Sequence, residues 1–208
     1  FSTASDRKYG RILWDNFNPL PKRANYFANI LDKVYDTAQS SPQLSDEHII
    51  IDNIDRLPTE FISNTLSRSI EFKDTTSLSF EEKQTYLESL REALRNEERL
   101  TSLKNMRNRI DDAIVLALKR TDWNFKTAIP VYYPRFDKMS MLLPLALVKE
   151  DTVDVALLVD KLRTGAYRAA TIFTLQMAYK NARLVSRPDS DWLTTESINE
   201  EHDDEDVE

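Results

Sequence analysis

The feature that most constrains the fold of this chain is a change of hydrophobic period at Asp122. Before it, from Ser79 to about Lys119, apolar residues recur at 87, 90, 94, then 100, 103, 106, 110, 114 and 117. That is the stripe of an amphipathic helix. After it come four runs rich in Val, Ile, Leu, Tyr and Thr: FKTAIPVYY, MSMLLPLALV, VDVALLVDKL and YRAATIFTL. They are parted by PRFDK, KEDT and RTGA, connectors of hairpin length. The runs therefore predict a largely antiparallel four-stranded meander over about 126–175. Helices before the sheet, and one after it at about 175–186, make the fold class α+β. The third run is apolar on both sides, which calls for cover on both faces. Pro130 and Pro144 cannot donate to a ladder, so their strands should hold edges or bulges.

Upstream, WDNFNPLPKRANYF sets two prolines around Leu20 among four aromatics, predicting an irregular segment docked on the core. LDKVYDT reads as a short strand or a helix end. Ser45 or Asp46 can cap a helix through DEHIIIDNIDRL, stopped near Pro58, and Pro58 opens a second through TEFISNTLSRSI. Ser79 with Glu82 three residues on is a capping box. A helix unbroken from there to Lys119 would run ~60 Å. The compact chain has a radius of gyration of only ~17 Å. A break at Thr101-Ser102, both able to cap, predicts two helices. Arg91, Arg95 and Arg99 form a row there, with Glu88 and Glu92 placed to pair with the first two.

Composition removes several chemistries. Cysteine is absent, so there are no disulfides, thiolate nucleophiles, Cys-type zinc sites or iron–sulfur clusters, and a reducing compartment is implied. The only histidines are His48 and His202, and the only glycines Gly10 and Gly165, too few for a His-rich metal site or a glycine-rich phosphate loop. No apolar run approaches the roughly 18 residues of a membrane span. The net charge of −7 is concentrated at one end. Thr194 to Glu208 hold eight acids and no Lys or Arg, leaving 27 acids against 28 bases over 1–193. The expected organisation is a single α+β domain over 1–193 with a helical insertion at about 63–108, then a disordered acidic tail over 194–208. The tail is a solvating segment, or a shield over a basic surface.

The last helix, in TLQMAYKNARLVSRPDSDWL, divides its circumference unevenly. Leu175, Ala178, Tyr179, Ala182 and Val185 share one arc, with Met177 and Leu184 on its flank. Asn181 falls inside this apolar territory. An unpaired buried amide would cost roughly 1–3 kcal/mol, so Asn181 should act as a structural pin. The expected partner is a sheet edge or the turn at 188–191. Arg187 precedes Pro188 and should end the helix, letting Trp192 and Leu193 fold back as a plug. Lys180, Arg183 and Arg187 form a basic stripe that invites an anion, although the helix dipole alone favours cations there.

IFTLQMAYKNARLVSRPDSDWL, with FNPLPKRANYF, HIIIDNIDRLP, KTAIPVYY and LLPLALV in order, resembles the DUF3825 family, a domain of unknown function. The resemblance covers about residues 9–60 and 110–193. It implies an intracellular domain, cytoplasmic ahead of nuclear, that accompanies RNA-associated modules such as cold-shock or LOTUS domains, with further sequence before the equivalent of Phe1. The family helix reads LDMAYNNARL. Here Gln176 stands for its acid and Lys180 for an asparagine, while Asn181, Arg183, Pro188, Asp189 and Trp192 keep the pattern.

Three functions are weighed. The first is a noncatalytic binding module for RNA or a nucleotide-containing ligand, using Lys180, Arg183, Arg187, Tyr179 and Trp192. The second is a hydrolase or transferase acting on nucleotides or RNA ends. In it His48 and Asp52, i and i+4 beside Asn53 and Arg56, supply acid and base, with Asp189 or Asp191. The third is a scaffold that binds another protein through helices 80–119, whose 63–108 segment is removable. No cofactor is implied; a carboxylate-bound Mg2+ is the one ion left open.

Overall fold

The computed structural model describes residues 30–68, 70–75, 78–96, 100–133 and 138–195. The aromatic segment before Ile30, Arg99, His202 and the acidic tail from Glu196 lie outside the described residues. The four apolar runs form β1 (Ile129–Tyr133), β2 (Lys138–Leu145), β3 (Val155–Lys161) and β4 (Tyr167–Thr174). They pair in order β1-β2-β3-β4, each pair antiparallel. The β3–β4 turn closes at Gly165, whose φ of 90° side-chain-bearing residues avoid. Pro130 lies on an edge strand, as required. Pro144 does not: β2 is interior. It is tolerated because β1 reaches only as far as Leu142, so that side of β2 carries no ladder at Pro144.

Both faces of the sheet are covered, for different lengths. On one, Met141, Leu143, Val155, Leu157, Val159 and Ile172 share a core with three helices. These are α1 (Thr59–Thr65), α2 (Phe80–Arg95) and α3 (Leu100–Trp123). On the other, Ile129, Val131, Leu142 and Ala156 meet Leu175, Ala178 and Ala182 of α4 (Leu175–Ala182), with Leu193 folded back beneath. An eight-residue helix is ~12 Å long, and an eight-residue strand ~27 Å. α4 therefore leaves part of its face open.

Several local expectations shift. The capping box at Ser79 and Glu82 forms. α2 ends at Arg95 rather than near Thr101, because residues 95–99 bring no apolar side chain to hold a further turn on the core. Ser102 does not cap; it is buried, and its Oγ accepts the Ser67 N–H at 2.8 Å. Arg91 pairs with Glu88 as its spacing suggests, and also with Asp55. Arg95 reaches Glu47 and Asp52 rather than Glu92.

The stretch read as one helix from Ser45 to Pro58 is a wide turn at Glu47–Ile51 followed by a tight one at Ile54–Arg56. Asp46 makes no side-chain cap. Ile49, Ile50 and Ile51 are all buried. Three consecutive residues span roughly 200° of an α-helix, more than one packed face provides, so the backbone widens and the Asp52 N–H reaches back to the Glu47 carbonyl at 2.9 Å. Likewise α4 stops at Ala182, before Arg187, and Leu184 to Ser186 continue as turns.

Candidate functional site

Where α4 ends, the open part of the sheet floors a cleft of about 920 Å³. Its floor is Val131, Ser140, Leu158 and Phe173; Asn181 stands on the α4 side, and His48 and Arg56 on the side beyond β4. Strand alternation decides the floor. Val155, Leu157 and Val159 enter the helix-side core, so Ala156, Leu158 and Asp160 face the opposite way.

Asp160 is the one carboxylate among the described lining residues, against the cations Arg56, Lys138 and Arg168. Ser140 Oγ donates to its Oδ1 at 2.6 Å, while Lys138 Nζ lies 2.8 Å and Arg168 Nη2 3.5 Å from Oδ2. Burial acts to raise its pKa. The hydrogen bonds from Lys138 and Ser140 and the charges of Lys138 and Arg168 outweigh that, and hold the carboxyl below its ordinary range.

The wall beyond β4 is built on two backbone irregularities. A β-bulge sets Leu158 opposite Thr171 and Val159 opposite Ala169, leaving Ala170 without a ladder partner. His48, on the wide turn, donates from Nε2 to the freed Ala170 carbonyl at 2.8 Å. Arg56 donates from Nη1 to the Ile172 carbonyl at 2.7 Å and to Thr171 Oγ1 at 3.0 Å. Thr171 in turn donates to Asn53 Oδ1 at 3.0 Å. Arg56 is thus held by one nitrogen, and its remaining guanidinium nitrogens meet no partner among the described residues. The other ring nitrogen of His48 lies 3.3 Å from Asp52 Oδ2, and the second oxygen of Asp52 is 3.4 Å from Arg95. With Nε2 bonded to the Ala170 carbonyl and Nδ1 beside Asp52, His48 acts as a strut between the wide turn and β4.

Lys180, Arg183, Arg187, Tyr179 and Trp192 do not line this cleft. Lys180 donates to Gln176 at 3.0 Å. Arg183 donates to the Tyr179 hydroxyl at 3.2 Å and lies 5.8 Å from that ring's centre. Arg187 is exposed. Lys180 and Arg183 stand roughly 100° and 160° around α4 from Asn181, and Arg187 lies past its end. Asn181 is pinned, but neither to a sheet edge nor to the 188–191 turn. Its Nδ2 donates to the Met177 carbonyl at 2.8 Å, one turn back in its own helix.

Trp192 donates to the Thr127 carbonyl at 2.9 Å and borders a separate groove with Trp123, Pro144 and Val153. Asp189 pairs with Lys126 at the surface, and Pro188 is half-buried. The sequence reading overlooked Lys138, Ser140, Asp160 and Arg168. A signal existed: Asp160 is the one acid in the apolar run VALLVDK, and the short RTGA turn brings Arg168 opposite it.

Among the described residues no group of three or more His, Asp or Glu side chains is placed to hold a metal ion. No described helix is long and apolar enough to cross a membrane.

A family model for a domain of unknown function, DUF3825, matches residues 1–192. The chain belongs to this family. The matched span includes residues 63–108, so the α1–α3 region lies inside the extent of the DUF3825 domain. Searches of curated proteins and of solved structures each found no match.

Proposed function

We propose that this DUF3825 domain is a noncatalytic binding module for a nucleotide-bearing ligand, either free nucleotide or single-stranded RNA, seated in the cleft between the sheet and His48–Arg56. One observation supports this above the rest. In a body whose residues 1–193 carry 27 acids against 28 bases, three cations gather around a largely apolar floor with a single carboxylate among the described lining residues. Arginine and lysine held in a recess attract phosphate, and Arg56 in particular keeps an unused guanidinium edge. Leu158 and Phe173 offer apolar surface to a planar ring. The cleft volume falls in the range of about 300–1,000 Å³ usual for small-ligand pockets. The exposed stripe of Lys180, Arg183 and Arg187 would take phosphates further along a longer strand. His48 and Asp52, the residues of the hydrolase or transferase alternative, contact Ala170 and Arg95.

Titration of a labelled mononucleotide and a short single-stranded RNA at two salt concentrations tests the reading. Binding that weakens with salt, and weakens further in Arg168→Ala, is expected. No binding of either probe, or binding indifferent to salt, would sink it.

A further inference from the structure

A carboxylate in the floor of an anion-binding cleft is a liability, since it repels the anion it sits beside. Asp160 is there nonetheless, nine-tenths buried and lining the cleft. What it supplies is acceptor capacity. Each carboxylate oxygen has two lone-pair directions. Oδ1 receives Ser140 alone among the described residues, whereas Oδ2 receives Lys138 and faces Arg168. Asn181 adds a second acceptor: one N–H of its Nδ2 goes to Met177, and its Oδ1 meets no partner among the described residues.

A ligand that satisfies this lining must therefore carry an anion for Arg56 and Arg168 together with a donor for Asp160, while Asn181 can meet a donor or an acceptor. Bare phosphate brings the anion at its full charge and no sugar or base donors. A deoxygenated sugar brings fewer donors than ribose. We infer that the cleft recognises one ribonucleotide unit, its phosphate held by the cations and a sugar hydroxyl donating to Asp160. This rests on the reading of the cleft as a nucleotide seat.

Three probes on the full chain decide it: adenosine monophosphate, its 2′,3′-dideoxy counterpart and inorganic phosphate, titrated calorimetrically at one ionic strength. The ribonucleotide should bind at least about fivefold tighter than the dideoxy compound, the worth of one hydroxyl-to-carboxylate hydrogen bond. Phosphate should bind most weakly. Asp160→Asn should narrow the ribose preference, with thermal melting to confirm that the variant folds; the wild-type comparison stands without it. Equal affinity for the ribo- and dideoxy compounds, or phosphate binding as tightly as either, overturns recognition of the sugar while leaving the cationic seat intact. If none of the three binds, the nucleotide seat itself is refuted.

Discussion

Tyr35 stacks on Tyr167 with ring centres 4.0 Å apart, and its buried hydroxyl has no hydrogen-bond partner among the described residues. Burial first, then the neighbouring Tyr167 and Asp36, push its pKa well above the ordinary tyrosine value. An unmet buried polar group costs about 1–3 kcal/mol. Tyr35→Phe keeps the stacked ring and removes the orphan, so urea unfolding should show a gain of about 1 kcal/mol; a loss would mean the hydroxyl is satisfied. Asp160 has the opposite character, a buried group held by Ser140, Lys138 and Arg168. Its folded pKa lies below the ordinary 3.8, so it contributes stability above that value and loses it as pH falls through the folded one. The stability difference between wild type and Asp160→Asn should shrink as pH is lowered past about 4. A difference that stays constant with pH would contradict the ion-pair geometry. Tyr35's role was not legible in the sequence, because it depends on a partner across the fold, whereas Asp160 left the trace of a lone acid in an apolar run. Asn181, expected as a buried pin, is half-buried at the cleft and bonds the Met177 carbonyl.

At the level of elements, what the sequence made plain was what is local. Alternation, hairpin-length connectors and the Ser79 capping box each operate within a few residues, and the meander and α2 follow from them. The turn of Glu47–Ile51 was hidden because three adjacent isoleucines satisfy a helical stripe poorly and must be judged against a core that sequence does not display. That turn is strapped to the β4 bulge through the His48 bond to Ala170. His48→Ala should therefore cost about 1 kcal/mol, the net worth of one hydrogen bond. It should also loosen protection of amides near Ala170 in hydrogen exchange. Unchanged stability with unchanged exchange would remove the strut from the picture.

For the whole molecule, one core joins elements distant in sequence. Leu87, Leu90, Leu94, Met106 and Ile110 pack in the same cluster as Ile49, Phe61, Leu143 and Leu157. The 63–108 segment, expected as a removable insertion outside the stretches that carry the family resemblance, contributes fully buried side chains to that cluster. Its deletion should abolish cooperative unfolding, since truncating single core residues already costs 2–5 kcal/mol each; a sharp melting transition in the deletion variant would show that the rest folds alone. The cleft itself exists because α4 is shorter than the strands beneath it, a fact of packing that no motif announces. The most direct measurement is the affinity of a mononucleotide for Arg168→Ala and Arg183→Ala side by side. The expected result is a loss of about tenfold or more for Arg168→Ala, one charge-assisted contact, and little change for Arg183→Ala. A loss confined to Arg183→Ala would place the ligand on the α4 stripe and contradict the cleft as its seat.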